Sequence, residues 1–243
     1  MAPGSGRSNK ALGVADAALT ADPAEPLVLA LGSQQVSALW LQPPGARACY
    51  VLAHGAGAGM RHIFMREAAR SLAQHGIATL RFQFPYLERG SRRPDPPAVC
   101  HATVRAALVA ARERAPALPL FAGGRSFGGR MSSQAQALAP LPGVNGLVFL
   151  GFPLHPAGKP DIERAAHLEA VHGPMLFLQG THDALADREL LLRVTARLGA
   201  RARIEWIADA DHSFHVPARS GRRDAEVREA LFAVAAEWML SRD

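Results

Sequence analysis

Ser126 lies at the centre of "GGRSFGG", residues 123–129, where an apolar run gives way to a stretch of small residues. Glycine weakens a helix start unless the backbone needs its freedom, so this density implies a tight turn or a close approach. Gly124-Arg125-Ser126-Phe127-Gly128 fits G-x-S-x-G between a strand-like and a helix-like segment, the context in which a strained turn pushes a serine out of a sheet. A serine hydroxyl attacks a carbonyl efficiently only when a neighbouring base takes its proton and a carboxylate holds that base. Both residue types follow downstream, Asp183 in "GTHDALAD" and His212 in "DADHSF". The chemistry they would do is acyl transfer to water, with Ser126 as nucleophile, His212 as base and Asp183 as the acid that orients it.

Each position has a competitor. Asp187 lies one helical turn beyond Asp183 and suits a helix cap, while Asp209 and Asp211 flank His212 and suit the turn that carries it. His215 is the rival base, and otherwise a residue of the pocket wall. The oxyanion of an acyl-transfer intermediate needs two backbone N–H donors. Phe127, next after the nucleophile, supplies one, and the glycine-rich "HGAGAG" loop supplies the other from Ala56 or Gly57. His54 either orients that loop or is a hydrogen-bonded core histidine.

Other chemistries fit poorly. "YVLAHGAGAG" lacks G-x-G-x-x-G because Met60 takes the place of the third glycine, and "GGRSFGGR" has no lysine followed by Ser or Thr for a phosphate loop. His212 and His215 lie outside any H-E-x-x-H arrangement, and the two cysteines, Cys49 and Cys100, form no zinc spacing. No metal and no cofactor are expected, because a serine hydrolase carries its own nucleophile.

The elements that must position these residues are legible as alternating runs. "PLVLALGSQQVSALWLQPP" reads as two strands joined at Gly32 and Ser33. "ACYVLAHG", "IATLRFQF", "LPLFAGG", "GLVFLGF", "PMLFLQG" and "ARIEWIADA" are short apolar runs with helical segments between them, the signature of buried parallel strands and crossover helices. The last helix follows Asp224, a candidate cap, and sets Val227, Leu231, Val234 and Trp238 on one stripe. The expected fold is α/β, a mostly parallel doubly wound sheet with helices on both faces. In such sheets function gathers at the carboxyl ends of the strands, where all the candidate residues fall.

Pro153 to Gly173 holds only one short helix, through Arg164 and Leu168, leaving no room for a cap domain. A shallow pocket is expected, walled by Tyr86, Leu87, Phe127, Met131, Leu154 and Phe214. Arg89, Arg92, Arg93, Arg125 and Lys159 lie on the loops nearby, as cationic contacts or as solvated residues. Tyr86, Arg125, His215 and Gly57 are the candidates for substrate contact.

The chain has 243 residues, 49% of them hydrophobic and 20% charged, which suits a globular domain. We expect a flexible tail over 1–25 and a single domain over 26–243. No apolar run approaches the roughly 20 residues of a membrane span. Asp16 and Asp22 fall where a secretory signal would be apolar, and at most one disulfide could form, so a cytoplasmic setting is expected. The net charge of +6 comes from basic residues that are all arginine except Lys10 and Lys159. They are scattered, and aromatics are only 6%, so no nucleic-acid surface is expected.

Taken together, "HGAGAG", "GGRSFGG", "GTHDALAD" and "DADHSF" resemble the α/β-hydrolase superfamily, on its small, nearly lidless, dienelactone-hydrolase-like side. "LAHGAGAG", "GGRSFGGR" and "DADHSF" more narrowly resemble a branch related to a testis-expressed protein and to a subunit of the NSL histone-acetylation complex. The resemblance spans roughly residues 26 to 240. It implies a Ser126, Asp183, His212 triad and a serine esterase acting on a small-molecule ester or thioester. Dienelactone hydrolase itself uses a cysteine nucleophile, where this chain has Ser126. The alternative is a catalytically silent module of the same fold that binds a partner, and neither reading specifies an oligomeric state.

Overall fold

The computed structural model describes residues 22–242, so the expected tail lies outside the described residues as far as residue 21. Residues 22–25 are already held. The Asp22 carboxylate accepts from the buried Arg81 guanidinium at 2.8 Å, and Glu25 opens the first strand.

Strands β1 (Glu25–Leu31) and β2 (Gln34–Leu41) form a hairpin whose turn uses the positive φ of Gly32, +61°. Next come β3 (Ala48–Ala53), α1 (Ile63–Gln74), β4 (Ile77–Phe82), the short α2 (Pro85–Glu88) and α3 (Pro97–Arg114). β5 (Leu120–Arg125), α4 (Phe127–Leu138) and β6 (Val144–Leu150) follow. A 3-10 turn (Glu163–Ala170) is all the helix between β6 and β7 (Met175–Gly180). α5 (Arg188–Leu198), β8 (Ala202–Ile207) and α6 (Asp224–Leu240) complete the described chain.

The sheet order is β1-β2-β4-β3-β5-β6-β7-β8, antiparallel only where β2 meets β1 and β4. β3 is fully buried and alternates between two cores. Cys49, Val51 and Ala53 pack with α3 and α4 residues such as Val104, Ala107 and Met131. Ala48, Tyr50 and Leu52 pack with Phe64 and Met65 of α1 and Val227 and Leu231 of α6. This two-sided burial is why these strands are continuous apolar runs rather than alternating ones. Both cysteines are buried and free.

After β3 the chain passes to β4 on one side and then crosses to β5 on the other. The loops after β3 and β5 therefore diverge, and open a crevice at the carboxyl ends of two neighbouring strands.

One local expectation is corrected. Asp224 is the first residue of α6 rather than its cap, which is Arg223. The Asp224 carboxylate instead accepts from the Val216 N–H at 3.0 Å and pairs with His215 at 2.8 Å.

Candidate active site

The turn between β5 and α4 is strained. Ser126 has φ 47° and ψ −115°, a conformation that costs a non-glycine residue about 1–3 kcal/mol. Neighbouring glycines make it sterically feasible. A Cβ on Gly124, at φ +146°, would lie 2.1 Å from the Ala53 carbonyl oxygen, and one on Gly128 would lie 2.5 Å from both the Ala53 and His54 oxygens. The first turn of α4 thus sits directly against the end of β3, which a side chain at either position would prevent.

Ser126 Oγ lies 2.8 Å from His212 Nε2, and His212 Nδ1 lies 2.7 Å from Asp183 Oδ2. The Asp183 side chain is fully buried and that of His212 is 20% exposed. The Nδ1 contact to a carboxylate leaves Nε2 facing the hydroxyl as an acceptor. Asp183 is itself held. Its Oδ1 accepts from the Leu185 N–H at 2.8 Å and its Oδ2 from the Gln179 amide at 2.5 Å, while Gln179 Oε1 accepts from the Phe152 N–H at 2.9 Å. Gln179 escaped sequence reasoning because a glutamine inside an apolar strand carries no spacing signal.

The competitors sit elsewhere. Asp187 caps α5 by accepting from the Leu190 N–H at 2.9 Å, and Asp211 accepts from the Ser213 and His215 N–H groups in the turn around His212. His215 is exposed and paired with Asp224, whose carboxylate raises its pKa above the ordinary histidine value.

A second serine and histidine are also in contact, Ser133 Oγ and His167 Nε2 at 2.8 Å. Ser133 is fully buried within α4, its hydroxyl also donates to the Arg130 carbonyl, and no carboxylate bonds to His167 among the described residues. Burial and nearby positive charge push His167 down to about 4, so this pair ties α4 to the 3-10 turn.

His54 is fully buried and joins two loops. Its Nε2 accepts from the Phe84 N–H at 3.0 Å and its Nδ1–H donates to the Gly55 carbonyl at 2.7 Å. Burial holds the ring neutral, with its pKa lowered to about 4. In a trans peptide the N–H points opposite the C=O, so fixing the Gly55 carbonyl turns the Ala56 N–H away from His54. The Tyr86 hydroxyl donates to the Ala56 carbonyl at 2.8 Å and orients the next peptide in the same way.

Ala56, Ser126 and Phe127 line one cleft of about 460 Å³. Phe127 is the first residue of α4, where helix N–H groups have no partner within the helix. The cleft is also lined by Pro94, Asp95, Met131, Pro153 and Leu185, with Arg130 and Arg164 supplying its cations.

The expected pocket wall needs correction. Phe127 and Met131 line the cleft, but Tyr86 and Leu154 are wholly buried, and Phe214 stacks on Phe64 on the opposite face of the sheet. Leu87 is half-buried outside the lining. Arg125 lies over the Phe64 ring, 4.3 Å from its centroid, and Arg89 is paired with Asp95. Arg92, Arg93 and Lys159 are exposed, as is Gly57.

Comparison with known proteins bears on the fold. A dienelactone hydrolase from Anabaena variabilis is similar, with 22% identity and a TM-score of 0.74 over 90% of this chain and 97% of that one. An alpha-beta serine hydrolase homologue from Coxiella burnetii has 20% identity and a TM-score of 0.70, over 86% of this chain and 96% of that one. XC6422 from Xanthomonas campestris, described as an a/b serine hydrolase without lid, has 22% identity and a TM-score of 0.68, over 88% and 94% of the two chains. At such identity these likenesses establish the fold. Residues 46–240 match the family described as alpha/beta hydrolase domain, and the chain belongs to that family.

Proposed function

We propose that the protein is a serine hydrolase that cleaves a small ester or thioester through an acyl-enzyme. The observation that carries this reading is the continuous hydrogen-bonded line from Ser126 through His212 to Asp183, opening on a cleft that also holds Ala56 and Phe127. Ser126 Oγ attacks the carbonyl carbon as His212 Nε2 takes its proton. The oxyanion forms toward the Phe127 and Ala56 N–H groups, and Asp183 stabilises the imidazolium. Collapse breaks the bond to the leaving oxygen or sulfur, which receives the proton from His212. Water, deprotonated by the same imidazole, then attacks the acyl-enzyme and releases the acid, returning the proton to Ser126.

Within the superfamily, the motif strings support placement in the branch related to the testis-expressed protein and the NSL-complex subunit. A single domain over 26–243 and a cytoplasmic setting complete the proposal. Among the described residues no helix is long and apolar enough to cross a membrane.

The test is labelling with a fluorophosphonate. The native chain is expected to label and Ser126→Ala is not. Failure of the native chain to label or to hydrolyse any activated ester would leave the silent binding module as the reading.

A further inference from the structure

The cleft beside Ser126 carries more positive charge than stability explains. Arg130 lies one helical turn beyond the serine, its backbone N–H donating to the Ser126 carbonyl at 3.1 Å. Its Nε is buried without a hydrogen-bond partner, and its guanidinium carbon lies 5.9 Å from the centre of the Phe127 ring. Arg164, in the first turn of the 3-10 segment, lines the same cleft. Among the described residues neither arginine forms an ion pair. The cleft's carboxylate, Asp95, is paired with Arg89 through Oδ1 at 2.5 Å.

Two guanidinium groups line one cleft, neither is paired with an acid among the described residues, and they oppose each other. Burial and the charge of Arg164 both push the Arg130 pKa below its usual value. A neutral side chain would serve the fold better, since removing an unpaired charge from water is unfavourable. An anion that enters with the substrate and leaves with the product reverses that balance. The planar guanidinium matches a carboxylate or phosphate through paired N–H donors.

We propose that Arg130 and Arg164 form an anion subsite, so that the acyl part of the substrate carries an oxyanionic group, a carboxylate or a phosphate, a few bonds from the scissile carbonyl. This rests on the hydrolase reading above. The acyl part occupies the site from the first attack to release of the acid and is bonded to Ser126 between the two steps, and a clamp on the helix that Ser126 caps holds it throughout. Residues i and i+4 on a helix are about 5–6 Å apart at Cβ, which with the length of an arginine side chain suits a linker of about three methylenes. Phe127, Met131, Pro153 and Leu185 give that linker an apolar wall.

The experiment compares mono-4-nitrophenyl glutarate, its analogue with a phosphonate in place of the carboxylate, and neutral 4-nitrophenyl valerate. The native enzyme is expected to favour one of the two anions by at least about tenfold in kcat/KM at low salt, and which one identifies the group. Arg130→Met should lower that preference about tenfold, chiefly through KM, with Arg130→Lys recovering part of it; Arg164→Met should lower it less. Binding of free glutarate and of inorganic phosphate to the Ser126→Ala protein, read by ligand-detected NMR, gives a second readout that needs no turnover. Ester hydrolysis without charge preference, together with anion binding that Arg130→Met leaves intact or no binding at all, overturns the subsite and spares the hydrolase reading. Arg130-dependent binding in a protein that hydrolyses no ester overturns the hydrolase reading and spares the subsite.

Discussion

His54 and Phe84 are joined by a 3.0 Å hydrogen bond, in which the imidazole Nε2 accepts from a backbone N–H of the loop after the neighbouring strand. That acceptor exists only in the neutral ring, and the other nitrogen spends its proton on the Gly55 carbonyl. A protonated His54 therefore loses the Phe84 bond and places an uncompensated charge in the core.

The consequence is a pH-dependent stability. Burial lowers the His54 pKa to about 4, below the ordinary value near 6.5 that the unfolded chain has. Between these values the unfolded state binds more protons, so stability rises with pH. The contribution is fully present above about pH 6.5 and is lost as pH falls toward 4, up to about 3 kcal/mol. Urea unfolding at a series of pH values should show the loss, and His54→Gln should flatten the slope over this window. An unchanged slope in the variant would place the titration elsewhere.

Gly128→Ala should cost more than about 3 kcal/mol, because its Cβ would meet two backbone oxygens at 2.5 Å at the end of β3, which cannot yield. Gly57→Ala is the contrast, since nothing lies within 4 Å of its Cβ position. Thermal melts of the two variants should differ sharply, the second remaining close to the native value.

Gln179→Leu removes the donor to Asp183 Oδ2 and leaves the Phe152 N–H without its acceptor. We expect kcat for 4-nitrophenyl acetate to fall about tenfold with KM little changed, and stability to drop by about 1–3 kcal/mol. Gln179→Glu would add a second carboxylate beside Asp183 and should be worse in kcat. Native turnover in both variants would show that Asp183 needs no second support.

Short acyl groups should be preferred. The connection between β6 and β7 carries only the Glu163–Ala170 turn and the cleft is open, so a long chain would stay in water and forgo roughly 0.8 kcal/mol per methylene. Values of kcat/KM across acetate, butyrate, octanoate and palmitate esters of 4-nitrophenol should fall beyond butyrate. A maximum at palmitate would refute this.

Ser126→Ala should lower 4-nitrophenyl acetate hydrolysis at least about a hundredfold while the protein stays folded, because the covalent route is removed. Steady-state kinetics paired with a thermal melt separates loss of chemistry from loss of structure.

The linear chain determined the period of its own elements. Strands buried on both faces must be apolar throughout, and their spacing leaves room only for crossover helices, so "ACYVLAHG" and "LPLFAGG" could be recognised as neighbours in a parallel sheet. The glycines around Ser126 were legible for the same reason, since each marks a backbone contact that a Cβ would fill. What side chains meet across elements was not legible. Arg125 adjoins Ser126 in the chain yet turns to Phe64 on the other face, whereas Arg130 and Arg164, on two different elements, converge on the cleft. Tyr86 and Phe214 read as pocket wall from their loops and instead lie buried, because loop side chains follow the nearest apolar surface rather than the strand that launched them. Gln179 sits among apolar neighbours in β7, and only the tertiary fold brings the Asp183 carboxylate and the Phe152 N–H together around its amide, because a buried polar group is decided by its partners and not by its place in the sequence.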